Sequence, residues 1–136
     1  MDKKLARALV DEALAGYPEE VCGFVLDDDT FVPVRNDHAD PLHNFHMDEE
    51  AQLRIQTGIG NIAGIYHSHY NGKHDPSGTD LEFPYPEWQY FIVTVVDVFE
   101  WRIANGVATP INPNNGRPGL PNLAYPILAA PEYLRP

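Results

Sequence analysis

Leu5, Leu9 and Ala13, with Val10 and Leu14 beside them, recur at helical spacing, so the chain opens on an amphipathic helix. Gly16 and then Pro18 stop it near Tyr17. The next apolar run, Glu20 to Leu26, is rich in strand formers and ends abruptly at Asp27-Asp28-Asp29, which predicts a buried strand followed by a tight turn. Phe31 to Val34 pairs back against it, and Pro33 places that second strand at an edge. Asn36 to Phe45 reads as a loop. Met47 to Gln56, opened by Asp48 as N-cap, carries Leu53 and Ile55 and reads as a second helix closed by Gly58 and Gly60. Ile62 to Tyr66 is another buried strand, running directly into His67-Ser68-His69. Further on, Phe91 to Val96 is the strongest strand signal and is expected to be central. Phe99 to Ala104 alternates apolar and polar residues, and Asn105-Gly106 is the preferred pair for a two-residue hairpin turn into Val107 to Thr109.

From Pro110 the pattern changes. Prolines at 113, 118, 121, 126, 131 and 136 leave no room for a long helix or a central strand, so the tail is expected to be extended. It still carries Leu120, Leu123, Tyr125, Ile127, Leu128, Tyr133 and Leu134, which suits a segment packed on the domain or on a partner. The chain thus divides into a domain over residues 1–109 and a Pro-rich extension over 110–136. The whole length, 136 residues, fits one core.

Nine Lys and Arg against twenty Asp and Glu give a formal charge of −11, a field that repels phosphate backbones and anionic lipid. Nucleic acid and membrane surfaces are therefore not expected partners. No stretch reaches the roughly 18 apolar residues of a membrane span, and Arg7, Asp11 and Glu12 break up the N-terminus as a signal peptide. The single Cys22 allows no intramolecular disulfide, so a cytoplasmic location is expected, or the host cytoplasm if the chain is viral.

The chemistry concentrates in His67-Ser-His69, followed after seven residues by Ser77 and after two more by Asp80. On a strand, side chains two apart share a face, so a His-x-His pair can bring two imidazoles to one metal. A turn through Gly72, Pro76 and Gly78 can return Asp80 as a third ligand. Two histidines and a carboxylate, with a fourth position open, form the ligand set of a hydrolytic zinc site. Ser77-Gly-Thr-Asp80 also reads as a capping box, which would hold Asp80 rigidly.

This spacing resembles the signature of the JAMM/MPN+ zinc metalloprotease family, and Glu20-Val-Cys22-Gly23 resembles that family's Glu-x-Cys-Gly strand. The resemblance covers roughly residues 1 to 105. It implies an α/β fold of MPN type, a mixed β-sheet packed between helices in the cytidine-deaminase-like α-β-α manner. By the same resemblance His67, His69 and Asp80 would hold Zn2+, Glu20 would be the general base, and Ser77 would donate a hydrogen bond to the oxyanion. Tyr70 departs from the family pattern, standing where many members have proline, and the tail after Pro110 has no counterpart.

Three function classes follow. The first is a zinc-dependent metallopeptidase or isopeptidase, deubiquitinase-like, cutting an amide after the tail of a ubiquitin-like or sulfur-carrier protein or in a related peptide. The second is a phage tail-assembly protein with a JAMM peptidase domain. The third is a catalytically inactive MPN scaffold, disfavoured because every ligand position is filled. A nucleoside-deaminase zinc site is excluded, since its paired cysteines are absent. The short span from Asp80 to Phe91 leaves little room for a ubiquitin-gripping insertion, and the acidic balance favours neutral or basic peptides. His74 is expected on the solvent or substrate side of its loop rather than as a ligand. His38, His43 and His46 are candidates for the rim of the cleft, and Cys22 for a small buried hydrophobe. The residues do not set an oligomeric state.

Overall fold

The computed structural model describes residues 2–58, 61–111 and 125–126. Helix α1 (Lys3–Gly16) buries Leu5, Leu9, Val10 and Ala13 of the stripe expected from the spacing, together with Ala6, while Leu14 is only partly buried. Strand β1 (Cys22–Leu26) is buried along its whole length between β2 (Phe31–Val34) and β3 (Ile62–Ser68). It begins two residues later than the apolar run suggests. The amide of Glu20 is taken by the Pro41 carbonyl, outside any ladder, so Glu20 stands just ahead of the strand. Pro33 lies opposite Gly23 on the edge strand, where a missing N–H is tolerated.

Helix α2 (Glu49–Gly58) is capped by Asp48, whose carboxylate accepts the Ala51 amide at 3.3 Å. Met47 is buried and bridges to Asn36, so the helix starts two residues later than the apolar pattern implies. Gly58 is its last residue rather than a stop beyond it. Gly60 lies outside the described residues. Strand β4 (Gln89–Val93) is shorter than the Phe91–Val96 run and shifted toward the N-terminus. Thr94 ends it: its hydroxyl accepts the amides of Val96 and Asp97 and donates to the Asp97 carboxylate, so a side-chain turn replaces ladder pairing. Strands β5 (Asp97–Ala104) and β6 (Val107–Pro110) form the expected hairpin, with Asn105 and Gly106 both at positive φ, 53° and 75°. Of the proline-rich extension, the pair Tyr125–Pro126 (β7) adds antiparallel to Asp97 and Val98 of β5. The other tail residues, and the packing expected of them, lie outside the described residues.

The sheet runs β2-β1-β3-β4-β5-β6, antiparallel except for the parallel β3–β4 pair. Alternation along the strands gives two cores. Val25, Tyr66, Phe91, Val93 and Val98 pack under α1 on one face. Phe24, Ile65, Tyr90, Ile92, Trp101 and Ile103 form the other, with Met47 and with Ile55 of α2. Strand β4 contributes to both cores, as expected of an internal strand. This is the α-β-α layering and mixed sheet implied by the resemblance. Among the described residues, no helix is long and apolar enough to cross a membrane.

At Gly23 the neighbouring strand and a core ring leave no room for a side chain. A Cβ there would lie 2.3 Å from the Val32 carbonyl oxygen and 2.6 Å from the Tyr66 ring. Tyr66 cannot swing away, because it is fully buried and its hydroxyl is held by the Glu12 carboxylate. Gly23→Ala is therefore expected to destabilise the fold by at least about 1–3 kcal/mol, read as a lowered urea midpoint.

Candidate metal centre

Strand β3 carries the chain from the core to its C-terminal end, beside the one parallel neighbour among the described strands. The parallel β3–β4 connection is a crossover, so the chain leaves the sheet here and opens a cleft, the usual place for a ligand in such sheets. His67 is the opposite number of Cys22 in the ladder and points into the same core face as Ile65. His69, one pleat further, keeps its amide on the Val93 carbonyl. Between them Ser68 faces the other way. Its hydroxyl accepts the Val21 amide at 2.8 Å and its own amide donates to the Val21 carbonyl, which ties the Glu20 segment to the histidine strand.

Asp80 returns as the spacing requires. The Ser77 amide donates to Asp80 Oδ2 at 2.8 Å and the Asp80 amide donates to Ser77 Oγ at 3.2 Å, the reciprocal pair of a capping box, at the start of a 3-10 turn (Asp80–Glu82). Ligand atoms of His67, His69 and Asp80 lie within 4.8 Å of one another, and all three residues are buried. His67 Nε2 is 3.3 Å from Asp80 Oδ1, and His69 Nε2 is 3.5 Å from Asp80 Oδ2. Glu20 Oε1 approaches the other side of the His67 ring, 3.5 Å from Nδ1.

His67 stacks on Phe45 at 4.3 Å and meets Tyr90 edge-on, yet neither buried ring nitrogen makes a hydrogen bond. Buried polar atoms without partners are costly and rare, and a bound cation would relieve this one. The electrostatics agree. Burial pushes the His67 pKa down, but the Asp80 and Glu20 carboxylates outweigh it and raise it to about 9. Burial likewise pushes Asp80 up, and the two histidines beside it overcome this and hold it well below the usual carboxylate range. The fold has therefore built a buried pocket that favours positive charge. His69 is prepared as a ligand in another way: its Nδ1 lies 3.2 Å from the Lys73 carbonyl, which selects the tautomer leaving Nε2 free to face Asp80.

Above the cluster is a cleft of about 1060 Å3. The 38–46 loop, with His38, His43 and His46, walls one side, and the 70–79 loop with Ser77 walls the other. The three loop histidines thus rim the cleft. A smaller cavity of about 500 Å3 lies behind Glu20, lined in part by Glu12, Cys22, Arg35 and Asp37. It contains none of His67, His69 and Asp80. His74 is no ligand; it stacks on Phe99 at 4.3 Å, while its carbonyl accepts the Trp101 indole N–H at 3.0 Å. It pins the loop to the sheet, a packing role that residue spacing does not reveal. Tyr70 likewise anchors that loop, donating to the Ala13 carbonyl at 2.6 Å and meeting Tyr17 edge-on. Cys22 is a buried thiol pushed up to about 12, chiefly by burial and then by nearby carboxylates, and so is no nucleophile.

Sequence reasoning did not single out Asn36 or Ser68. Asn36 Nδ2 donates to the Glu20 and Asn44 carbonyls, both at 2.9 Å, and its Oδ1 accepts the His38 and His46 amides. It is the hub between Glu20 and the cleft wall. Only its position after a strand, at the mouth of a long polar loop, could have signalled this.

This fold is that of a JAB-type domain, and its two histidines and carboxylate could hold a metal ion. Residues 2–104 match the family of prokaryotic homologs of the JAB domain, and the chain belongs to that family. It is also similar to tail tip assembly protein K of Escherichia phage N15, 32% identical over 83 residues, which cover 59% of this chain and 34% of that protein. The chain thus matches about a third of that relative's length.

Asn36→Ala is expected to cost about 1–3 kcal/mol by stranding its four partners. Amide exchange at His38 and His46 should accelerate more than exchange in β4, and equal acceleration everywhere would contradict a local hub.

Proposed function

We propose that this domain is a zinc-dependent peptidase of JAMM type that hydrolyses an amide in an extended peptide segment. The observation that carries the reading is the buried His67–His69–Asp80 cluster, with His67 nitrogens that make no hydrogen bond, at the floor of an open cleft. The donor set suits zinc: two imidazoles and one carboxylate leave the fourth tetrahedral position open. When bound, zinc supplies Lewis-acid chemistry that acidifies water and polarises the scissile carbonyl. Glu20, buried beside His67, takes the proton from the attacking water and delivers it to the leaving amine. Ser77, on the cleft wall, uses its oxygen to accept the Asp80 amide and keeps its hydroxyl proton for the oxyanion.

The setting we favour is phage tail assembly in the host cytoplasm, supported by the similarity to tail tip assembly protein K. The substrate is then a peptide segment of an assembling partner, neutral or basic rather than acidic given the charge of −11. A ubiquitin-like or sulfur-carrier tail is the competing substrate. Against an isopeptidase specialised for ubiquitin stands the span after Asp80, where Phe83, Tyr85 and Trp88 pack on one another and on Phe24 and Tyr90.

Metal analysis should find one zinc per chain, lost from His69→Ala because a two-ligand remnant binds far more weakly. An unchanged stoichiometry in that variant refutes the assignment. Glu20→Gln should retain zinc and fold while abolishing hydrolysis, since an amide cannot accept the proton. Turnover surviving in Glu20→Gln removes it as the base, and loss of zinc makes it a support for His67 instead.

A further inference from the structure

Asp80 comes to the histidines at the end of a loop, on a side chain whose terminal torsion is broad and holds no rotamer firmly by itself. Its two oxygens are nonetheless fixed by two different donors. Oδ2 accepts the Ser77 amide within the capping box, and Oδ1 accepts the Tyr90 hydroxyl at 2.7 Å. Tyr90 reaches it from internal strand β4, where the residue is 1% exposed and its ring is wedged between Phe83 and His67 at centroid distances of 5.0 and 5.3 Å. One buried side chain thus touches two members of the cluster: it braces the His67 ring by contact and orients the Asp80 carboxylate by a charge-assisted hydrogen bond. The need is mutual, since a phenol so deeply buried requires an acceptor.

We propose that Tyr90 is a positioning residue for the metal centre, its hydroxyl holding the Asp80 carboxylate in the orientation that binds zinc. The inference rests on the zinc-site reading above. Because the carboxylate is held from both oxygens, little of its freedom is left to lose when a metal binds, and the site is preorganised. The β3–β4 register aligns Tyr90 with Ile65, one pleat before His67, which sets the phenol beside the histidine strand.

The test is zinc affinity, measured by competition with a chromogenic chelator on the full chain. Tyr90→Phe keeps the ring and its contacts and removes only the hydroxyl, and should weaken zinc binding by about 10–100-fold while circular dichroism shows the metal-free fold intact. The cobalt-loaded variant should show a shifted visible band, reporting an altered ligand field. Phe83→Leu, which loosens packing on the ring without touching the hydroxyl bond, should leave the affinity unchanged. It also serves if Tyr90→Phe fails to fold, because a loss of affinity in Phe83→Leu alone overturns the proposal in favour of packing. Unaltered zinc affinity in Tyr90→Phe, with a parent protein that binds zinc, overturns this inference alone. A parent that binds no zinc overturns the metal reading with it.

Discussion

Placing an imidazole out of reach of water, between two carboxylates, is the constraint around which this molecule is organised. His67 is 1% exposed, and Glu20 and Asp80 are both buried beside it. Each of these groups would be costly to desolvate alone, and together they are tolerable only if their charges compensate and their hydrogen-bonding capacity is met. The surroundings show how that is arranged. The Ser77 amide and the Tyr90 hydroxyl satisfy Asp80, the Lys73 carbonyl engages His69, and Phe45 covers His67 with a stacked ring. What stays open is a set of lone pairs converging on a small space, which is the condition for binding a cation.

The parallel pair β3–β4 makes this possible. A hairpin would have turned the chain back after Tyr66 and kept the histidines in a ladder, whereas a crossover must leave the sheet and travel. The departing segment supplies the loop that returns Asp80. That loop is held from three sides: by Tyr70 on α1, by His74 against Phe99 and Trp101 on β5, and by the capping box at its far end. The opposite wall, residues 38–46, is tied by Asn36 to its own ends, by the Pro41 carbonyl to the Glu20 amide and by Phe45 stacked on His67. One wall is thus pinned to the helix and to the sheet, and the other is gathered around the Asn36 amide and the Glu20 segment.

Glu20 is positioned by contacts outside the ladder. Its amide binds the Pro41 carbonyl, its carbonyl accepts from Asn36, and the next residue is tied to Ser68 between the two histidines. A carboxylate at the entrance of a strand would ordinarily be solvated. Here the backbone is fastened on both sides, so the side chain is carried into the interior beside His67. This is how the Glu-x-Cys-Gly segment and the histidine segment, distant in sequence, become one site. Gly23 belongs to the same arrangement, since only a residue without a Cβ lets the strand pass the Tyr66 ring.

Much of this was legible in the residues alone. Apolar periodicity gave α1, and Asn105-Gly106 gave the β5–β6 hairpin, because each depends on local backbone preference and on which face is buried. The cluster of His67, His69 and Asp80 was legible because strand alternation and a capping box are short-range geometry. Two of the boundaries that shifted did so where a side chain took over a backbone bond, as Thr94 does at the end of β4 and Asp48 at the start of α2, and β1 starts late because the Glu20 amide goes to the Pro41 carbonyl outside the ladder. Tyr90, Asn36, Ser68 and the stacked His74 were decided only by the tertiary structure. Each acts through a partner between 8 and 47 residues away in the chain, and no local pattern records which distant group a buried polar side chain will meet.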